Sequence, residues 1–289
     1  MIASALITGL GLGSMYGLLA LGFYMTYSVS STVNFAQGSS MMLGAVLAYT
    51  FAVTLGWPML PAVLMALALC AAYGVLVELL AVRPFVRRAS NSWLIATVAL
   101  GIIADNTVLF TFGKEPRGFP MPWASGSLSI GGLNVSLLQL LSPVVGLSLA
   151  AALHLFSMRT TPGKALLAIV QNADAARLMG INVPLAISAA YAASTLFAGA
   201  AGIMIAPLSN VHSDMGTLFG LKAFAVAILG GITSAWGVML AGLIFGVTES
   251  LITALLGSAY TQILTFTLVI VALAVMPNGL FGRAEAKKV

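Results

Sequence analysis

The sequence predicts an all-α polytopic integral membrane protein with about eight to nine transmembrane helices, some of them broken, arranged as an inverted repeat. Of its 289 residues, 60% are hydrophobic and 7% are charged, whereas a soluble domain carries about 25% charged residues. Apolar stretches of roughly 20 residues, the length that a helix needs to cross ~30 Å of hydrocarbon, recur along the whole chain. Glycine-rich interruptions occur in both halves, as in transporters built from inverted repeats. We therefore treat residues 1–289 as one membrane domain.

The distribution of basic residues predicts the orientation of these spans. Nine of the twelve basic residues lie in three clusters, which the positive-inside rule places in the cytoplasm. The N-terminus is then outside and the C-terminus is cytoplasmic. The first apolar segment has no basic flank and is interpreted as a retained span rather than a cleaved signal peptide. The clusters are Arg83, Arg87 and Arg88; Arg159, Lys164 and Arg177; and Arg283, Lys287 and Lys288.

Nine crossings satisfy this orientation. An alternative makes the seventh and eighth stretches a re-entrant pair and leaves seven crossings, which has the same parity. The stretches are residues 2–27, 34–55, 59–82, 93–112, 138–157, 185–208, 218–234, 236–257 and 259–277.

A cytoplasmic loop at 158–184 is the one long stretch with soluble, amphipathic character. Its apolar residues recur at spacings of three and four, which predicts a single helix over Ala165–Met179 lying outside the bilayer. An apolar face in that position needs a partner, so the loop is interpreted as a docking surface. The apolar residues are Leu166, Ile169, Ala173, Ala176 and Met179.

The longest external loop, 113–136, is rich in Gly, Pro and Ser and is predicted to be irregular. Within the spans, Gly9, Gly13 and Gly17 repeat every fourth residue, and Gly242 and Gly246 do the same late in the chain. This spacing permits close helix packing. It fits packing within one subunit or a seam between two subunits.

Two polar or glycine-rich interruptions predict the path through the membrane. Broken helices at membrane depth are tolerated where they are buried in protein or line a cavity. A glycine- and alanine-rich span precedes each of them, Leu10–Tyr27 in the first half and Tyr191–Pro207 in the second, which suggests the inverted repeat. Each polar residue here serves equally well as a helix cap. The predicted pathway residues are Asn34, Phe35, Gln37, Gly38, Ser39, Gly230, Gly231 and Thr233.

Other classes of function lack their signatures. No catalytic residues are assigned, and His154, His212 and Cys70 form no metal-binding motif. The chain has no phosphate-binding loop of the GxxxxGK[ST] type, so no cofactor is assigned to it and energy for transport would have to come from a partner. An ion-coupled carrier would need ionisable residues in the membrane, and Glu78, Asp105 and Glu249 are the only candidates for this role. A passive channel would not need the docking loop.

Four motifs occur in an order typical of a known family. They are NFAQG, the loop TPGKALLAIVQNADAARLMGINV, then GLKAFAVAILGGITSAWG, and the ending MPNGLFG. From about Gly9 to Gly282 the chain resembles the LivH-type permease subunits of high-affinity branched-chain amino acid ABC transporters. Two departures are Gln37, where the family often has histidine, and Leu167, where the loop often has a second arginine.

The resemblance implies a multi-pass subunit of the bacterial inner membrane, surrounded by lipid and without a nucleic-acid partner. It implies two cytoplasmic ATPase subunits, a second related permease and a periplasmic solute-binding protein. Branched-chain or related amino acids are the expected solutes; urea, short amides and a homodimeric permease pair remain open. The residues assigned to ATPase coupling are Gly163, Lys164, Ala168, Asn172, Asp174, Ala175, Met179 and Gly180.

Overall fold

The computed structural model describes residues 2–121, 126–130, 133–276 and 279–281. Nearly all of this part of the chain is helical. The basic residues of the C-terminal tail and part of the MPNGLFG motif lie outside the described residues. Helices and strands occur in the following order: α1 Ile2–Ser30, α2 Gln37–Tyr49, α3 Met59–Val77, α4 Arg83–Val86, α5 Trp93–Phe112, β1 Ser127–Ile130, β2 Leu133–Ser136, α6 Leu137–Arg159, α7 Thr161–Gln171, α8 Ala173–Leu178, α9 Val183–Ser209, α10 Met215–Gly230, α11 Ala235–Leu256 and α12 Ser258–Val275.

The predicted crossings correspond to helices in the described ranges. Seven are long and apolar enough to span a membrane, with α3 and α4 joined through the π-helical turn Glu78–Val82 into one. At 1.5 Å per residue, the 16-residue α10 is about 24 Å long, which is shorter than the ~30 Å of hydrocarbon. The other short helix, α2, is extended by a π-helical turn at Thr50–Thr54. The polytopic helical fold is confirmed.

The helices form a buried centre and a lipid-facing rim. In α1 and α9, 72% of the most apolar stretch is buried, compared with 17% in α5, α6 and α12. The central helices are rich in glycine and alanine, because close packing of helix backbones stabilises bundles in lipid, where burial of apolar surface gives little. Thus α1 and α9 are the core of the bundle.

The glycine repeat of α1 packs against α11 of the same chain. A Cβ added at Gly246 would lie 2.3 Å from the Gly13 Cα, and one added at Gly9 would lie 2.6 Å from the Val247 Cα. Only a residue without a side chain permits this approach. Of the two interpretations of the repeat, packing within one subunit is the correct one for this face of α1.

The two halves of the chain have related arrangements. In each half a long helix, α1 or α9, is followed by a short one, α2 or α10. The long helix of each half packs against the helix that follows the short one in the other half. Thus α1 packs against α11, and α9 packs against α3. The short helices meet near their N-termini, where a Cβ on Gly38 would lie 2.3 Å from the Gly216 carbonyl oxygen. These contacts fit the inverted repeat.

The external loop is more regular than predicted. β1 and β2 form a two-stranded antiparallel hairpin, and Arg117 forms an isolated antiparallel bridge with Val211. The prediction of an irregular 113–136 loop is therefore wrong over Ser127–Ile130 and Leu133–Ser136. Alternation of apolar and polar residues in SLSI and LNVS favours strands, but the loop's glycine and proline content outweighed this signal in the sequence analysis.

Candidate translocation groove and coupling surface

An open groove of about 240 Å³ lies where α2, α5 and α10 meet. The approach of α2 and α10 at Gly38 and Gly216 forms its floor, since no side chains separate the two backbones. Its walls are mostly apolar and aromatic. The ring centroid of Phe224 lies 5.5 Å from that of Phe23 and 5.3 Å from that of Phe35. The groove is lined by Phe23, Phe35, Gly38, Ser39, Val98, Gly101, Ile102, Asp105, Thr217, Gly220, Leu221 and Phe224.

Asp105 is the charged residue of this groove. It lies on α5, half-buried, with the Ser39 side chain beside it. Its Oδ1 atom is buried and has no hydrogen-bond partner among the described residues. An intramembrane carboxylate is costly unless it is paired, so its environment marks it as a functional candidate.

The predicted pathway residues of the first half divide into two groups. Phe35, Gly38 and Ser39 line the groove, whereas Asn34 and Gln37 are fully buried behind it. The Gln37 amide donates to the Ser194 carbonyl at 3.1 Å, and its Oε1 accepts from the Ser194 hydroxyl at 3.0 Å. These bonds join α2 to α9, which is the role of a structural amide.

Asn34 positions the start of α2. Its Oδ1 accepts from the Ala36 N–H at 3.1 Å, and its amide donates to the Gln37 side chain at 3.4 Å. The segment between Ser30 and Gln37 is non-helical and largely buried. A helix break inside protein is thus present, and Asn34 and Gln37 bond some of its polar groups.

The predicted pathway residues of the second half lie elsewhere. Gly230 ends α10 and packs against Gly237 at the start of α11, where an added Cβ would lie 2.6 Å from the Gly237 carbonyl oxygen. Gly231 contacts Gly279, and Thr233 is exposed in the turn between the two helices. The second interruption is a tight helix–helix turn, and none of its residues lines the groove.

A buried ion pair joins α10 to α11. Lys222 Nζ lies 2.5 Å from Glu249 Oε1 and 3.4 Å from the Tyr16 hydroxyl on α1. Both charged residues are 8% exposed. Glu249 is among the predicted intramembrane acids, whereas Lys222 is not among the predicted functional residues. The signal was the single lysine inside the apolar run GLKAFAVAIL.

A second ion pair lies at the end of α3. Glu78 is 2% exposed, and its Oε2 accepts from Arg83 Nη2 at 2.8 Å and from the Ser188 hydroxyl at 2.9 Å. It therefore ties the α3–α4 span to α9. Glu78 thus has charged and polar partners within the chain.

The loop between α6 and α9 forms two helices rather than the predicted single helix over Ala165–Met179. Asn172 interrupts it, because its side chain accepts from the N–H groups of Asp174 and Ala175 and caps α8. Thr160 caps α7 in the same way through Gly163 N–H. The helical periodicity was correct, but the capping asparagine within it ends one helix and starts the next.

Much of the predicted docking face is covered by the chain itself. Ile169 and Ala176 are buried in a cluster with Val183, and Leu166 lines an apolar cavity of about 540 Å³ against α6 and α9. Gly163 is also buried, since a Cβ there would lie 2.1 Å from the Phe156 carbonyl oxygen. The expectation that this apolar face awaits an external partner is therefore wrong for Ile169 and Ala176, which the chain itself covers.

The exposed apolar surface is at the end of α8. Leu178 and Met179 are 89% and 83% exposed. Gly180 follows with φ +85°, a conformation that favours glycine. The remaining assigned residues are exposed or half-buried: Lys164, Ala168, Asn172, Asp174 and Ala175. Sequence periodicity did not single out Leu178, because it lies off the predicted face.

Comparison with known proteins identifies the family. Residues 5–273 match the family described as the branched-chain amino acid transport system / permease component. The chain belongs to this family. It is 31% identical over 294 residues to the high-affinity branched-chain amino acid transport system permease protein LivH of Escherichia coli K12, a match that covers 97% of this chain and 96% of that protein.

Other relatives agree with this assignment of the permease. The permease protein BraD of Pseudomonas aeruginosa is 31% identical, with 98% and 97% of the two chains covered. Among solved structures, one chain of the complex of PsaBC from Streptococcus pneumoniae with Fab has a TM-score of 0.50. That match covers 94% of the permease and 90% of the other chain at 14% identity, and it shows a shared fold.

Proposed function

We propose that this permease is the membrane-spanning subunit of an ATP-driven importer for amino acids with apolar side chains. Family membership is the observation that carries the proposal. The proposed complex contains two cytoplasmic ATPases, a second related permease and a periplasmic solute-binding protein. ATP is hydrolysed on the partner chains, and this permease works by alternating access in the bacterial inner membrane.

The groove between α2, α5 and α10 is the proposed contribution of this chain to the path. Its aromatic wall suits an aliphatic side chain. Its floor carries the N-terminal turn of α2, which has no side-chain cap. Free N–H groups and the helix dipole at such a terminus favour an anion, so the carboxylate of the solute is proposed to face Gly38 and Ser39.

The proposed ATPase contact is the end of α8 and the turn after it. Leu178 and Met179 expose large apolar side chains in a loop that the positive-inside rule places in the cytoplasm. Because α7 and α8 pack on the ends of α1 and α9, movement at this contact would reach the two central helices. Force is proposed to pass through packing rather than through charge.

Reconstitution tests the function. The reconstituted proteoliposomes contain this permease and the permease, ATPases and binding protein encoded beside it. They should accumulate leucine, isoleucine or valine when ATP is supplied on the side of the membrane that the ATPases face. The permease alone should neither hydrolyse ATP nor accumulate solute. Uphill uptake by the lone permease, driven by a proton or sodium gradient, would contradict the proposal and favour an ion-coupled carrier.

The proposed orientation has a separate test. Cysteines at Ser90 and Asn172 should be labelled from the cytoplasmic side only, and a cysteine at Glu115 from the external side only. The native Cys70 is buried and makes a silent background. Labelling of position 172 from outside intact cells would reverse the assignment of the docking loop.

A further inference from the structure

We propose that Asp105 binds the ammonium group of the amino acid as it crosses the membrane. The proposal rests on the proposed import function and adds a residue that recognises the positive charge of the solute. Of the residues that line the groove in the described part of the chain, Asp105 alone is ionisable. A cationic group in the groove would therefore meet one carboxylate and no competing base.

Asp105 lacks the cationic partner that Glu78 and Glu249 each have. Glu78 is paired with Arg83, and Glu249 with Lys222. Asp105 has no ion pair with the described residues, and its buried Oδ1 has no hydrogen-bond partner among them. Because an unpaired charge at this depth is expensive, the usual role of such a residue is to bind a substrate, an ion or a proton.

The surroundings of Asp105 suit a small ammonium ion with an aliphatic chain. Phe23, Phe35 and Phe224 lie in the same groove, and aromatic faces attract ammonium groups while their bulk contacts aliphatic carbon. Ser39 lies beside the carboxylate and supplies a hydroxyl that accepts a second N–H. A volume of 240 Å³ is adequate for a free amino acid but small for a peptide or a drug-sized molecule.

Further ionisable residues lie near the start of α10. Asp214, 77% exposed, precedes α10 and is close enough to Asp105 to interact with it electrostatically. His212 lies 3.5 Å from Asp214. Arg117, joined to Val211 by backbone hydrogen bonds, lies near the same end, so the charges there have both signs.

A groove cysteine makes the binding measurable in the assembled complex. Thr217→Cys, in a Cys70→Ala background, puts a reactive thiol in the groove wall, and solute binding should slow its modification by a small thiol reagent. The probes are leucine, 3-methylbutylamine, which lacks the carboxylate, and 4-methylpentanoate, which lacks the ammonium group. ATP-dependent leucine uptake is measured on the same preparations.

Leucine and 3-methylbutylamine should protect the thiol. In Asp105→Asn, the concentration of either compound that gives half-maximal protection should rise by at least about tenfold, as expected for loss of a charge-assisted hydrogen bond. Protection by 4-methylpentanoate should not weaken. Asp105→Glu should restore part of the amine binding. Asn106→Ala is the matched control, since Asn106 is exposed on the same helix and outside the groove.

Equal protection of wild type and Asp105→Asn by leucine would overturn the proposal. So would loss of the second permease from the Asp105→Asn complex, which would assign the carboxylate to an intersubunit ion pair. Absence of protection in a complex that imports leucine would overturn the groove site and leave the import function intact. A wild-type complex that imports no amino acid would instead contradict the proposed function.

Discussion

Two carboxylates in the membrane domain have opposite environments. Glu249 is paired with Lys222 at 2.5 Å between α10 and α11. Asp105 lies in the groove on another side of α10 and has no cationic partner in the described chain. Both charges carry a cost of desolvation. The difference indicates that the first serves the fold and that the second is matched by something outside the chain.

The largest expected effect on stability is at the ion pair. Lys222→Met leaves Glu249 buried without its cation and should lower the free energy of unfolding by about 3–5 kcal/mol. Thermal melting of the purified permease in nanodiscs measures this. The double variant Lys222→Met with Glu249→Met should recover most of the loss, because two apolar residues need no pairing. A single variant as stable as the wild type would remove the structural role.

A smaller loss is expected behind the groove. Gln37→Leu deletes the bonds to Ser194 and leaves buried polar groups unpaired, at a cost of about 1–3 kcal/mol. The melting temperature should fall while solute preference stays the same. Gln171→Leu, at an exposed site on α7, is the control. Altered solute preference at unchanged stability would place Gln37 in the path, as the sequence analysis predicted.

In the groove, we expect removal of the carboxylate not to lower the stability of the protein. Asp105→Asn replaces an unpaired carboxylate by a neutral amide of the same shape, so we expect stability to be unchanged or to rise by less than about 1 kcal/mol. Melting curves of the two carboxylate variants, Asp105→Asn and Glu249→Gln, compare the sites directly. Destabilisation at both sites by similar amounts would show that the two acids have the same role.

The exposed end of α8 should show no change in stability. Leu178→Asp alters a side chain that is 89% exposed, so the melting temperature should stay constant. Association with the ATPase should weaken by about tenfold or more, as expected when a charge enters an apolar contact. Leu178→Met keeps the apolar surface and is the control. Normal ATPase binding by Leu178→Asp would exclude this residue from the contact.

The hydrophobic pattern was sufficient to predict the helical fold. Length and composition located α1, α3, α5, α6, α9, α11 and α12, because membrane helices must satisfy their backbone within each segment. Which faces meet was harder to predict. Periodicity marks Ile169 and Ala176 as buried, but it does not say whether a partner protein or the chain's own spans cover them.

The candidate site was predicted in part. NFAQG led to Phe35, Gly38 and Ser39, since a helix break at membrane depth is visible as polar residues in an apolar run. The sequence marks Asp105 only as an acid within a span, because its place opposite Ser39 depends on the contact of α2 with α5. The Lys222–Glu249 pair joins residues 27 apart in sequence, and one sequence contains no information about that contact.

The meeting of Gly38 with Gly216 has a mechanical consequence. Side chains that interdigitate between two helices resist rotation of one helix against the other, so most helix contacts have discrete alternative arrangements. Here the two backbones are in direct contact, and no side chains interdigitate between Gly38 and Gly216. A side chain at either glycine would therefore separate the first turns of α2 and α10 and change the width of the groove beside them.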